Sequence, residues 1–252
     1  MRSVAVLLAA GKGTRMRSDR AKVLHEFRGE ALVLHPLRAA AEAGVERSIV
    51  VIGHQREAVR AAVSAKAPGR GWVVDFAVQD QQKGTGHAVL CALPGLDGGA
   101  EQPFEGAVFV LSGDVPLLRA ATLGALAKAC AESSAGLALA TFRPADAGGY
   151  GRILRDADGR VVGIREHEDA TEAERAIGEC NAGVYCVRAE HLRRELPTLG
   201  SQNAAGEIYL TDLVALRAEA GRVIAVEVDA LEVAGVNTPE QLAELEAAAE
   251  NR

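Results

Sequence analysis

LLAAGKGTRM, at residues 7–16, joins an apolar segment directly to a loop that contains two glycines and two cations. A third cation, Lys22, follows shortly afterwards in the string KVLH. Free backbone N–H groups in such a loop, together with cationic side chains, form a good site for a polyanion such as phosphate. Two common phosphate motifs do not fit, because G-x-x-x-x-G-K-[ST] is absent and Met16 stands where G-x-G-x-x-G needs its third glycine. The stretch predicts a strand and a phosphate-binding loop of another kind, although a G-x-G alone is also typical of a plain turn.

Outward from this stretch, the first half of the chain alternates apolar strands with amphipathic helices. The pattern predicts strands at 3–8, 47–53, 72–79, 107–114 and 136–142, and helices at 31–44, 55–67, 85–93 and 122–133. Such alternation is typical of an α/β fold with a mixed, mostly parallel sheet flanked by helices. Ligands of such sheets bind beyond the carboxyl ends of the strands, where the opening loop, Gln79 and Asp114 all fall.

The second half has a different pattern, which begins with the segment GYGRILRDADGRVVGIRE at 149–166. An Asp-Gly turn at 158–159 between two apolar runs predicts a β-hairpin. Beyond it we predict strands at 179–187 and 223–228, and helices at 189–195, 207–219 and 238–250. Asn237 falls at the N-cap of the last helix or just before it. We predict a single domain, 1–252, with a nucleotide-binding half at 1–147 and a second half at 148–252.

Composition restricts the class of protein. The chain has 252 residues, of which 48% are hydrophobic and 25% charged, which suits one large α/β domain. The net charge of −6, without a run of basic residues, argues against nucleic-acid and membrane surfaces as partners. No signal or membrane-spanning stretch is evident, so we expect a cytoplasmic protein. Its cysteines match no zinc spacing and are expected to be reduced thiols: Cys91, Cys130, Cys180 and Cys186.

Two strings suggest chemistry at the strand ends. In SGDVPL (112–117), Asp114 follows an apolar strand, and a carboxylate facing a phosphate loop suits Mg²⁺. The alternative is a turn-forming aspartate. In QDQQKGTGHA (79–88), the amide of Gln79 can pair with a uracil or thymine edge, whereas the alternative is a polar loop with Thr85 as N-cap. The histidines show no metal-ligand spacing, and we interpret His25, His54 and His87 as structural or surface groups.

Polar residues also lie beside the predicted strand ends of the second half. They occur in the strings EHEDAT, NAG and GEIYLTD, which contain Glu166, Asn181 and Thr211. Each of them alone is typical of an ordinary surface. Their joint occurrence opposite a phosphate site suggests a polyhydroxylated partner such as a sugar.

The strings LAAGKGTRM, KVLH, QQKGTGHA, GDVPL, GYGRI, EHEDAT, NAG, GEIYLTD and GVN occur in the order seen in one family. Over residues 3–245 the chain resembles the pyrophosphorylase (uridylyltransferase) domain of bifunctional N-acetylglucosamine-1-phosphate uridylyltransferase and glucosamine-1-phosphate acetyltransferase. The opening signature is shared by many sugar nucleotidyltransferases, whereas the later strings are more specific. The resemblance implies a Rossmann-like nucleotidyltransferase fold of the GT-A type, with the hairpin in a sugar-binding lobe.

The resemblance also implies a reaction and its residues. UMP would pass from UTP to N-acetylglucosamine 1-phosphate with Mg²⁺, giving pyrophosphate and UDP-N-acetylglucosamine, a precursor of peptidoglycan and lipopolysaccharide. The residues implied for the nucleotide are Leu8, Ala9, Ala10, Gly11, Gly13, Arg15, Lys22, Gln79, Gln82, Gly84 and Thr85. Those implied for the sugar are Gly113, Gly151, Glu166, Asn181, Tyr209 and Thr211. Asp114 and Asn237 would hold the metal, and Arg15, Lys22 and Asp114 would form the catalytic group.

Two alternatives remain open from the sequence. One is transfer to another sugar 1-phosphate from UTP or dTTP, and the other is a non-catalytic nucleotide-sugar-binding protein. The hexapeptide repeats of the family's β-helix acetyltransferase domain do not occur between residues 1 and 252. We therefore expect this stretch of chain to be a monomer or weak dimer without acetyl transfer.

Overall fold

The computed structural model describes residues 2–250, so the outer limits of the predicted domain, 1 and 252, lie outside the described residues. Most strands form one nine-stranded sheet, and two short strands form a separate ribbon. The strands are β1 (Ser3–Ala9), β2 (Glu26–Phe27), β3 (Glu30–Ala31), β4 (Arg47–Ile52), β5 (Val74–Val78), β6 (Ala107–Ser112), β7 (Leu137–Phe142), β8 (Arg152–Arg155), β9 (Val161–Arg165), β10 (Cys180–Arg188) and β11 (Ile224–Glu227).

The main path of the large sheet runs β11-β7-β10-β6-β1-β4-β5. Strands β6, β1, β4 and β5 are parallel to one another, and β11 is parallel to β7. Strand β10 is antiparallel to both of its neighbours, β6 and β7. The sheet is therefore mixed and mostly parallel, as predicted. The β8–β9 hairpin is also present, and it joins the sheet through β10.

Helices cover both faces of the sheet. They are α1 (Leu34–Glu42), α2 (Arg56–Lys66), α3 (Thr85–Ala92), α4 (Ala120–Glu132), α5 (Glu172–Arg175), α6 (Ala189–Glu195), α7 (Asp212–Ala220) and α8 (Pro239–Glu250). Apolar residues of α1, α2 and α4 share one buried cluster with Leu7, while those of α3, α6 and α7 share the other with Val6. Successive residues of a strand point to opposite faces, so the continuous apolar run of β1 supplies both layers.

A third, smaller cluster connects the opening loop to the end of the chain. It contains Met16, Phe27 of the β2–β3 ribbon, and Val236 and Leu245, which flank the start of α8. Met16 is 2% exposed, so its side chain fills this cluster. The packing holds the segment before α8 against the opening loop.

Two predicted helices begin later than expected. The helix predicted at 31–44 starts at Leu34, because Glu30–Ala31 pairs with β2 in the ribbon. The helix predicted at 207–219 starts at Asp212, because Ile208 donates its N–H to the carbonyl of Lys83 and accepts the N–H of Gly86, at the start of α3. The sequence analysis also missed α5, which a capping box between Thr171 and Glu174 begins. None of the helices between residues 2 and 250 has the length and apolar character needed to cross a membrane.

Candidate active site

The opening loop folds tightly over Lys22. Gly13 has a φ of 62°, and a side-chain carbon there would collide with Cβ of Lys22. Only glycine fits both the left-handed backbone and this close approach. Short 3₁₀ turns at Thr14–Met16 and Lys22–Leu24 complete the loop. The loop thus brings the Lys22 side chain to the carboxyl end of β1.

A cavity of about 300 Å³ opens at the carboxyl ends of β1, β5 and β6. Its lining residues are Leu8, Ala9, Ala10, Gly11, Lys22, Val23, Gln79, Gln82, Gly84, Thr85, Ala88, Ser112, Asp114 and Glu207. The cavity therefore brings together the residues predicted for the nucleotide, except Gly13 and Arg15, which lie in the adjoining loop. Two larger surface cavities, of about 730 and 670 Å³, contain none of the predicted site residues.

One wall of this cavity is the loop between β5 and α3. Gln79 is 4% exposed, and its Nε2 donates to the carbonyl oxygen of Gly84 at 3.1 Å. The amide of Gln82 donates to the carbonyl of Ala10 at 2.7 Å, which ties this loop to the end of β1. Gly84 has a φ of 99°, and a side chain there would meet the backbone of Ile208. The glycine therefore permits a backbone path that few other residues could follow.

Thr85 does not cap α3 as the alternative interpretation expected. It is the first residue of the helix, and Gly84 occupies the N-cap position without a side-chain hydrogen bond. The Thr85 hydroxyl instead accepts the backbone N–H of Leu210 at 3.1 Å. Thr85 thus joins the cavity predicted for the nucleotide to the segment at 206–212.

Two cationic side chains and two side chains with acceptor oxygens converge at the other end of the cavity. Lys22 Nζ donates to Asp114 Oδ2 at 2.5 Å and to Asn237 Oδ1 at 3.0 Å. Arg15 Nη2 also donates to Asn237 Oδ1, at 3.0 Å. Asp114 follows β6, and its carbonyl oxygen accepts the N–H of Val236, which fixes the neighbouring Asn237 beside it. Thr238 caps α8 by accepting the N–H of Gln241, so the predicted position of Asn237, just before the cap, is confirmed.

The donor set of this cluster suits a hard divalent cation. Asp114 offers carboxylate oxygens and Asn237 an amide oxygen, and both already surround the ammonium of one cation, Lys22. Mg²⁺ uses one or two such protein ligands and takes the rest from phosphate and water. Within residues 2–250, no group of three or more His, Cys, Asp or Glu side chains is arranged to hold a metal by itself. The residues present therefore fit a metal ion that is held jointly with a phosphate substrate.

Four of the residues predicted for the sugar lie together in the second half. Thr211 Oγ1 donates to Glu166 Oε1 at 2.9 Å, and a side-chain carbon on Gly151 would lie 3.3 Å from Glu166 Oε2. The N–H of Asn181 donates to the carbonyl of Gly151 at 2.9 Å, and its Nδ2 donates to Tyr185 Oη at 2.6 Å. Burial raises the pKa of Glu166, and the hydrogen bond from Thr211 opposes that rise. We call Gly151, Glu166, Asn181 and Thr211 the second-half cluster.

Of the two other residues predicted for the sugar, Tyr209 borders this cluster and Gly113 lies outside it. Tyr209 lines a separate cavity of about 110 Å³, which it shares with Glu166, Asp169 and Asp212. Burial raises the pKa of Tyr209 to about 12, and Asp169 acts in the same direction. Gly113 packs against β1, where its N–H donates to the carbonyl of Leu8 at 2.9 Å. It lies next to Asp114, which lines the cavity of about 300 Å³.

The segment at 206–212 connects the cavity predicted for the nucleotide with the second-half cluster. Glu207 lines the cavity, Ile208 bonds to the loop before α3, and Thr211 reaches Glu166. Sequence reasoning missed Glu207 as a cavity residue, although it lies in the string GEIYLTD. The ring of Tyr150 packs edge-on against Phe142 with 4.9 Å between centroids. Burial raises the pKa of Tyr150, and the negative charge of Asp114 adds to that rise.

Comparison with known proteins identifies relatives of this chain. Residues 5–219 match the family described as the MobA-like NTP transferase domain. The chain is 52% identical over 239 residues to "Bifunctional protein GlmU" of Anaeromyxobacter dehalogenans (strain 2CP-C), which covers 95% of this chain and 48% of the relative. It is 49% identical over 245 residues to the protein of that name from Chromohalobacter salexigens, covering 96% of this chain and 51% of the relative. The chain thus spans about half the length of these relatives.

A solved structure resembles the whole chain. The crystal structure of a UDP-glucose pyrophosphorylase complexed with UDP-glucose superimposes with a TM-score of 0.76 at 18% sequence identity. The superposition covers 100% of the present chain and 99% of the pyrophosphorylase chain. The predicted Rossmann-like nucleotidyltransferase fold is confirmed by this likeness, and the predicted family resemblance by the sequence matches.

Proposed function

The chain belongs to the family of MobA-like NTP transferase domains, and on that premise we propose that it transfers UMP from UTP to N-acetylglucosamine 1-phosphate. The products are UDP-N-acetylglucosamine and pyrophosphate. One observation carries the proposal. A nucleotide-sized cavity ends at the Lys22–Asp114–Asn237 cluster, and the segment at 206–212 connects it to a partly buried set of groups suited to sugar hydroxyls.

The base end of the cavity supports a pyrimidine nucleotide. Gln79 lies at the end of β5, and the backbone of Ala9 and Gly84 lines the same space. An amide and fixed backbone groups leave polar atoms unpaired when the wrong base enters, which discriminates strongly. We expect UTP to be used well above CTP, and equal rates with CTP would contradict this assignment of the cavity.

At the phosphate end, the chain supplies charge and position. Arg15 and Lys22 neutralise the triphosphate, and Asp114 and Asn237 would hold Mg²⁺. When bound, the metal supplies a Lewis acid that draws negatively charged phosphate oxygens together. The sugar 1-phosphate is already an anion near neutral pH, so its oxygen needs no general base. That oxygen forms a bond to the α-phosphorus in line while the bond to the leaving pyrophosphate breaks, and positioning provides most of the catalysis.

The second-half cluster supports a sugar as the acceptor. Glu166 and Thr211 are hydrogen-bonded to each other, and the amide of Asn181 lies on the adjoining strand β10. Carboxylate, hydroxyl and amide groups are the partners that sugar hydroxyls and an acetamido group use. The relatives that share about half of this chain's residues carry the name "Bifunctional protein GlmU". That name and the motifs quoted above favour N-acetylglucosamine 1-phosphate among sugar phosphates.

A panel of substrates tests the proposal. Each of UTP, CTP, ATP and dTTP is combined with N-acetylglucosamine, glucosamine and glucose 1-phosphates in the presence of Mg²⁺, and the sugar nucleotide formed is measured. We expect UTP with N-acetylglucosamine 1-phosphate to have the highest kcat/KM. A higher value for another pair would identify a different sugar nucleotidyltransferase. Binding of UDP-N-acetylglucosamine without turnover of any pair would indicate a non-catalytic binding protein, against which the intact Arg15, Lys22, Asp114 and Asn237 argue.

A further inference from the structure

His87, which the sequence analysis interpreted as a structural or surface group, touches the residue assigned to the base. It lies in the first turn of α3, and its Nδ1 is 3.0 Å from Nε2 of Gln79. The same Nε2 is 3.1 Å from the carbonyl oxygen of Gly84. One amide nitrogen thus faces two partners, and this arrangement determines which way the amide of Gln79 points.

The carbonyl of Gly84 fixes the identity of the amide atoms. A carbonyl oxygen only accepts hydrogen bonds, so the atom that faces it must be the NH₂ group of Gln79. If the amide were reversed, Oε1 of Gln79 would face the carbonyl oxygen of Gly84, and two hydrogen-bond acceptors would repel each other. The second hydrogen of Nε2 then points to His87, whose Nδ1 must accept it. His87 is therefore the neutral tautomer that carries its proton on Nε2.

The surroundings of His87 suit this role. Its ring nitrogens both lie 4.0 Å from Sγ of Cys91, one turn further along α3. Burial raises the pKa of the Cys91 thiol, and the charge of Asp80 acts in the same direction, so the neighbour is an uncharged thiol. The helix N-terminus is anchored from the other side by the N–H of Gly86, which donates to the carbonyl of Ile208 at 2.8 Å.

With both N–H groups of Gln79 committed, the group left for a ligand is Oε1. We infer that His87 is a positioning residue that, together with the carbonyl of Gly84, holds the Gln79 amide with its acceptor toward the base, so that the site selects pyrimidines that carry a proton on N3. Uracil and thymine have this N3–H, whereas N3 of cytosine is an acceptor and would oppose Oε1. The inference rests on the proposed function for the assignment of the base site, and it adds a residue that never touches the substrate.

Base selectivity in His87 variants tests the inference. His87→Ala removes the acceptor, while His87→Asn keeps an oxygen at the position of Nδ1. We expect His87→Ala to lower the ratio of kcat/KM for UTP to that for CTP about 10-fold, the loss of roughly one hydrogen bond. The change should fall on KM for UTP, with kcat altered less than about 3-fold. His87→Asn should restore most of the ratio.

Controls separate this role from a structural one. His54 is another histidine near the cavity, and its backbone N–H donates to the carbonyl of Ala10. His54→Ala should leave the ratio of kcat/KM for UTP to that for CTP unchanged. Thermal unfolding of each variant shows whether it is folded. The inference is wrong if His87→Ala leaves the UTP/CTP ratio of kcat/KM unchanged. It is also wrong if His87→Asn lowers that ratio as much as His87→Ala does. Either result leaves the proposed function in place.

Two measurements do not need turnover. In ¹⁵N spectra of the histidine-labelled protein, Nδ1 of His87 should be unprotonated, and a proton on Nδ1 would overturn the inference. Calorimetric titration with UTP and with CTP measures the two dissociation constants. Their ratio should show the same loss of preference for UTP in His87→Ala. If the wild-type protein binds UTP selectively but forms no product, the proposed function fails and the titrations still decide the role of His87. If the wild-type protein binds CTP as well as UTP, the inference is wrong.

Discussion

Lys22 and Asp114 form an ion pair in which Nζ lies 2.5 Å from Oδ2, and their side chains are 18% and 14% exposed. Lys22 follows the opening loop and Asp114 follows β6, so the pair joins the ends of two adjacent parallel strands, β1 and β6. Opposite charges that are largely removed from water interact more strongly than exposed pairs. The cation proposed for the triphosphate and the carboxylate proposed for the metal are therefore one unit, and a substitution at either residue changes both.

Asp114→Asn tests this unit with little change in shape. We expect it to lower kcat about 10²–10⁴-fold, the usual cost of removing a group that stabilises transferring phosphate. Steady-state pyrophosphate release measures the loss, and circular dichroism checks the fold. Glu101→Gln changes an exposed acidic residue of a loop away from the site and serves as the matched control. Turnover near the wild-type rate in Asp114→Asn would show that the metal assignment is wrong.

Glu166 should give KM for the sugar phosphate a distinctive pH dependence. Burial raises the pKa of this carboxyl, so it takes up a proton at a higher pH than an ordinary glutamate. The protonated group accepts hydrogen bonds from Thr211 and the sugar less well, so KM for the sugar phosphate should rise as pH falls through the raised pKa. KM for UTP should not follow that change.

Glu166→Gln is the control for this profile. The variant cannot ionise at this position. Its KM for the sugar phosphate should therefore be higher than that of the wild-type protein, and the pH dependence of this KM should lack the step caused by the carboxyl. The substrate's own phosphate titration is common to both proteins, and the difference between their profiles from about pH 5 to pH 8 therefore reports Glu166. Parallel profiles would show that Glu166 does not bind the sugar in its charged form.

Glu179 is expected to stabilise the fold in a pH-dependent way. Its carboxylate accepts from Arg155 Nε at 2.8 Å and Nη2 at 2.7 Å, and the side chain is 6% exposed. The hydrogen bonds from Arg155 lower the pKa of Glu179. A lowered folded-state pKa contributes stability above the unfolded-state pKa, and that stability is lost as pH falls through the folded-state value.

We therefore expect Glu179→Gln to lower the free energy of unfolding at pH 7 by about 1–3 kcal/mol, because Arg155 loses a charged partner. The deficit should narrow as pH falls below the ordinary glutamate range and through the lowered pKa of Glu179, where the wild-type carboxyl also becomes neutral. Urea unfolding over this pH range measures both effects. Glu46→Gln breaks the exposed pair with Arg2 and should cause no measurable change. A deficit that is constant with pH would contradict the pKa assignment.

Much of the fold could be predicted from the local sequence pattern, and the elements that were predicted wrongly differ for physical reasons. The apolar runs of β1, β4 and β6 are buried on both faces and are recognisable from sequence alone. The segment at 207–211 has helical periodicity, yet its backbone bonds to the loop before α3, so tertiary pairing overrides the local preference. The β2–β3 ribbon has only two residues in each strand, too few for a pattern.

The candidate site was less accessible to sequence reasoning. Strand ends predicted that Gln79 and Asp114 would share one edge, and both line the same cavity. The pairing of Lys22 with both Asp114 and Asn237 depends on packing between distant segments, which no local pattern contains. The contact of His87 with Gln79 has the same origin, since it requires the loop before α3 to fold back on its strand. The sequence strings themselves suggested a metal role for Asp114 and a base-binding role for Gln79, whereas most of the other individual roles came from the family resemblance.

Formation of the sugar nucleotide tests the central claim most directly. The purified protein is incubated with UTP, N-acetylglucosamine 1-phosphate and Mg²⁺, and ³¹P spectra follow the substrates and products with time. We expect equal amounts of pyrophosphate and UDP-N-acetylglucosamine, formed at a rate that depends on both substrates and on Asp114. Unchanged spectra, or release of pyrophosphate from UTP without any UDP-sugar, would contradict this claim.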